Sequence, residues 1–113
     1  MPVSYNTPLD GIPNQVFVAT TEKIPYNFDF SANLAVGETV AAPTSQLLDM
    51  TLNGAVVLLT DPPVVAGTSG VVQEVRGTQL LAGHNYRLVV SADLVGLSPN
   101  KRLSISLVVT CPY

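Results

Sequence analysis

Polar and apolar residues alternate with a period of two along most of this chain. Tyr26, Phe28 and Phe30 alternate with Asn27, Asp29 and Ser31, which puts three aromatic rings on one face of a strand and three polar groups on the other. Tyr86, Leu88, Val90 and Ala92 line one face of a later strand, and Leu103, Ile105, Leu107 and Val109 line one face of the last. Val71, Gln73 and Val75 stand against Val72, Glu74 and Arg76, and Val16 to Thr20 is β-branched and aromatic. Between Gln46 and Leu52 the pattern puts Leu48, Met50 and Leu52 on one side, with Asp49 and Thr51 facing water. Asn53-Gly54 then reads as a tight hairpin turn, because both positions tolerate positive φ. Ala55 to Thr60, continuously apolar as far as Leu59, reads as a strand buried on both faces, and Val64 to Ala66 as a brief edge segment.

No window repeats its apolar residues at three and four, and Pro or Gly interrupts the chain too often for helix. Turn signals roughly every 8–12 residues imply an all-β fold: an antiparallel sandwich of about seven to nine strands. Residues 1–15 read differently. Pro2, Pro8 and Pro13 block helix, yet Val3, Tyr5, Leu9 and Ile12 are too apolar for a flexible linker. This is an extended N-terminal arm that packs on its own domain or reaches a neighbour. Residues 16–113 form the sandwich domain.

The segment from Leu80 to Leu88 is the most specific local feature. Gly83 sits in a turn and Tyr86 opens a strand, the pattern of a tyrosine corner in which the phenol returns to backbone a few residues upstream. His84, in the same loop, reads as a solvated side chain.

Composition changes the picture in one respect. The chain has 113 residues, 47% apolar but only 12% charged, with a net charge of −3, one Cys and one His. That excludes a disulfide scaffold, a multi-cysteine zinc site and the basic footprint of nucleic-acid binding. The surface is then built largely from neutral residues, which suits a subunit packed against others. Asp10, Glu22, Asp29, Glu38, Asp49, Asp61, Glu74 and Asp93 are scattered singly among turns and outward positions. Gly67 to Gly70 lacks the Lys of a phosphate loop, and Cys111 lacks an activating partner. No catalytic, cofactor or metal role is expected for any residue, and no membrane segment. The first six residues lack a basic start and an apolar run, so synthesis in the cytosol or cleavage from a precursor is expected, with Cys111 a reduced thiol.

Asn27 to Val40, with its aromatic-Asp-aromatic strand leading to Gly37-Glu38-Thr39, resembles the first strands of small immunoglobulin-like virion proteins of tailed bacteriophages. Gly70-Val71-Val72, Leu81 to Val90 and Arg102 to Val109 are similar to the same group, whose fibre–tail adaptor type is the nearest match. The likeness spans about residues 26–110. Departures are the missing tryptophan after the first turn and the unmatched residues 1–25. The resemblance implies an immunoglobulin-like structural protein of the virion, made in the host cytoplasm and present in several copies. It would bind capsid, neck or tail proteins as an adaptor or as capsid cement. The alternative is a non-viral immunoglobulin-like binding or adhesion module. Candidate contact residues are Val3, Tyr5, Leu9 and Ile12 on the arm, Asn53 and Gly54 in the turn, and Leu97, Pro99 and Asn100 in the last hairpin loop.

Overall fold

A computed structural model describes residues 3–5, 14–96 and 101–113. Among these residues nine strands form two sheets. β1 (Val3–Tyr5), β3 (Lys23–Asp29), β7 (Gly70–Arg76) and β6 (Val64–Ala66) make a four-stranded sheet in the order β1-β3-β7-β6. β2 (Asn14–Phe17), β9 (Lys101–Thr110), β8 (Asn85–Val95), β4 (Thr39–Asp49) and β5 (Ala55–Val57) make a five-stranded sheet in the order β2-β9-β8-β4-β5.

The period-two pattern explains how the sheets meet. Tyr26, Phe28 and Phe30 of the β3 segment and Val71 and Val75 of β7 point inward from one sheet. Leu47, Leu88, Val90, Ala92, Ile105, Leu107 and Val109 point inward from the other, and all are buried in one core. Gln73 is buried with them; its amide donates to the carbonyls of Asp61 and Glu74. Those bonds satisfy the amide nitrogen, whereas the Gln73 Oε1 is buried with no hydrogen-bond partner among the described residues.

The sandwich is not wholly antiparallel. β1 runs parallel to β3, and β2 parallel to β9. A hairpin forces antiparallel neighbours, but these two strands arrive from sequence-distant connections and are free to pair either way. β1 and β2 lie in different sheets. Val3 and Tyr5 therefore belong, by backbone pairing with Tyr26 and Phe28, to an edge strand of their own sheet.

Three further expectations change. Leu47 and Asp49 face the core, whereas Met50 and Leu52 lie exposed in a 3-10 turn (Met50–Leu52). The inward phase of β4 is thus the opposite of the one the apolar pattern suggests. Apolar Ala55 to Leu59 is not doubly buried: β5 is three residues long, sits at the sheet edge, and leaves Val56 and Leu58 exposed. Finally, the β4–β5 connection is longer than a two-residue hairpin, running from Met50 to Gly54. Asn53 and Gly54 do take positive φ there, 56° and 80°, and the Gly54 N–H closes on the Asp49 carbonyl at 2.8 Å.

Candidate interaction surface

The corner loop forms as its sequence suggests. The Leu81 N–H donates to Tyr86 Oη at 2.6 Å, with the Tyr86 ring buried. Burial pushes the phenol pKa up, partly offset by the bond from Leu81. Gly83 turns the chain at φ 83°, and its N–H donates to the Cys111 carbonyl at 2.6 Å. Cys111 N–H returns a bond to the His84 carbonyl at 3.0 Å, so the corner is strapped to the chain leaving β9. The Cys111 thiol is free and buried, and burial pushes its pKa up.

Two residues expected to face water do not. Asp49 is 2% exposed. Its Oδ1 accepts from the N–H groups of Thr51 and Leu52 at 3.0 and 3.2 Å, and its Oδ2 lies 2.8 Å from His84 Nδ1. The pair ties the β4–β5 turn to the corner loop, 35 residues away in sequence. Half of that arrangement is readable: an Asp two and three residues before N–H groups that need acceptors is a turn cap. The His84 partner carries no local signal. Glu38 is also buried; it accepts from Ala35 N–H at 2.7 Å and lies 3.5 Å from Lys101 Nζ.

Four of the proposed contact residues fall among the described residues. Val3 and Tyr5 lie on the β1 edge, and Asn53 and Gly54 lie in the β4–β5 connection. Leu9, Ile12, Leu97, Pro99 and Asn100 lie outside the described residues.

Exposed large apolar side chains occur at several places, Phe17, Val36 and Tyr113 among them, and four of them lie on or beside the β5 and β6 edges. Val56 is 60% exposed, Leu58 84% and Val64 59%. β5 covers β4 only from Leu47 to Asp49, so β4 continues past it with no strand on that side among the described residues. Beyond the end of β5 a groove of about 560 Å³ opens, floored by Thr44, Gln46, Val89 and Ser91 and walled by Val56 to Leu59 and Asp61 to Pro63. The wall is anchored. Arg76 grips the Asp61 carboxylate with two bonds, 2.7 and 3.0 Å, which holds that carboxyl below the usual range. Gln73 donates to the Asp61 carbonyl at 2.8 Å, and Gln79 donates to the Leu58 carbonyl. Among the described residues no three His, Cys, Asp or Glu side chains group to hold a metal ion. Such a surface, lined by apolar side chains, Thr44, Ser45, Ser91 and the Arg76-bound Asp61, can bury contact area.

No family model, curated protein or solved structure matches the chain.

Proposed function

We propose that the chain is a non-catalytic structural subunit of a tailed-bacteriophage virion, an immunoglobulin-like sandwich that binds other virion proteins as a tail or neck adaptor or as capsid cement. The observation that carries the binding role is the exposed apolar rim at Val56, Leu58 and Val64 beside an anchored groove. Apolar side chains left exposed beside a groove are a common feature of protein-binding surfaces. The low charge of the chain supports permanent contact for the same reason.

Support for the immunoglobulin-like reading comes from the strand order. A four-stranded sheet faces a five-stranded one in the order β2-β9-β8-β4-β5, in which β8 and β9 pair at the centre and a tyrosine lies near the start of β8. The virion setting rests on the sequence resemblance over about residues 26–110. The test is twofold: the genes flanking this one, and mass spectrometry of density-purified particles. Capsid, portal or tail genes alongside, with the chain present at structural copy number, are expected. Absence from particles together with secretion or sortase genes nearby would replace this reading with a non-viral binding module.

A further inference from the structure

The outward face of the five-stranded sheet is almost free of uncompensated charge. Its polar side chains bond laterally to one another. Ser91 and Ser104 hydroxyls lie 2.6 Å apart, Thr110 Oγ1 donates to Asn85 Oδ1 at 2.9 Å, and Gln15 donates to Thr110 at 3.2 Å. Arg102 spans Asp93 at 2.8 Å and Thr44 at 2.6 Å. One side chain breaks the pattern. Of the five Lys and Arg residues in the chain, Lys23, Arg76, Lys101 and Arg102 each pair with a carboxylate. Arg87 pairs with none among the described residues.

Arg87 is also central. It lies on β8, the middle strand, and the register places it in a row running Gln15, Val108, Arg87, Leu48, Val56 across all five strands. Its immediate cross-strand neighbours, Val108 and Leu48, are apolar and half-buried. Val89, two residues along and about 7 Å away, begins the floor of the groove. An exposed guanidinium amid apolar neighbours is the composition of an interface anchor, because Arg gives several donors and a planar apolar surface at once.

We propose that this face is a docking surface centred on Arg87, and that its occupant is a different protein presenting an Asp or Glu carboxylate flanked by apolar side chains, one of which fills the groove. The proposal rests on the reading of the chain as a protein-binding subunit and adds the surface and the partner's chemistry. Charge complementarity decides the occupant. A second copy docked by a two-fold through this face would bring Arg87 against Arg87, while the face's own carboxylate, Asp93, is already held by Arg102. A nucleic acid needs several cations, and among the described residues this face has one without a carboxylate partner.

The test is site-specific photo-crosslinking in cells making the chain from its own genome, and in particles purified from them. A photo-crosslinking amino acid replaces Val89 on this face or Glu74 on the outward face of the other sheet. The expected result is an adduct from position 89, not 74, to a second protein, with the joined peptide near an Asp or Glu. Arg87→Glu is expected to lower that adduct at least tenfold, and Arg87→Lys to keep roughly a third of it. Melting temperatures of both variants should stay within about 1 °C of the parent, since Arg87 is exposed. Adducts from 74 alone, between two copies of the chain, or to nucleic acid would overturn the proposal, as would an Arg87→Glu variant that crosslinks normally. A position-89 adduct formed in cells whose particles lack the chain would keep the docking surface and remove the virion setting.

Discussion

The two sides of the sandwich end their sheets in opposite ways. On one side β1 covers β3 and β2 covers β9, and the covering continues beyond the strands: Val18 N–H donates to the Thr110 carbonyl at 3.0 Å and Thr20 N–H to the Tyr113 carbonyl at 2.8 Å. On the other side the sheets stop at β5 and β6, each three residues long, both apolar and exposed. An open edge invites pairing with another chain, and soluble proteins usually blunt it with charge, proline or short length. Here shortness and Pro62-Pro63 blunt the edge, so one side is covered by strands from the start of the chain and the other is left as a short apolar edge.

The comparison breaks most visibly when a residue of the covered side is removed. Phe28→Ala, under β1 and in the core, is expected to cost about 3–5 kcal/mol, seen as a lower urea midpoint; a loss under about 1 kcal/mol would mean that the β3 edge is not fixed to the core. Tyr86→Phe leaves the Leu81 N–H without its acceptor and should cost about 1–3 kcal/mol. Alkaline pH probes the same corner. Burial raises both the Cys111 and Tyr86 pKa values, so the folded state holds these protons more tightly than the unfolded chain. Their contribution is full below about pH 8.5, the unfolded thiol value, and is lost as pH rises through the folded values. Melting temperature should therefore fall from pH 8 to pH 11, and Cys111→Ala should flatten the first part of that fall. The smallest effect belongs to the open side. Val56→Ser with Leu58→Ser should change stability by less than about 0.5 kcal/mol while reducing incorporation into particles, measured as copies per particle. Normal incorporation would show that the open rim is not a contact.

How far the sequence reveals this depends on the range of each signal. Tyr26, Phe28, Phe30 and the Tyr86-to-Ala92 series are legible because alternation is set by the strand itself. Gln73 follows its neighbours inward for the same reason. Leu48, Met50 and Leu52 mislead because the strand ends at Asp49, whose carboxylate caps a 3-10 turn and releases the next residues from the pleat. The apolar run from Ala55 misleads because burial on two faces and exposure at an unfinished edge use the same residues. The Asp49–His84 bond and the unmatched charge of Arg87 are not local properties. The first needs two loops to meet, and the second needs every other cation to be seen with its partner.

The parallel pairing of β2 with β9 sets a condition on how the molecule is made. Asn14 meets Leu107, 93 residues further on. At about 5–20 residues per second, the first of these strands leaves the ribosome several seconds before its partner exists. The five-stranded sheet therefore cannot be completed until the segment around Leu107 has been made. It closes only when β9 slots between β8 and a β2 that has waited for it, a pairing whose two partners are separated by most of the strands between them.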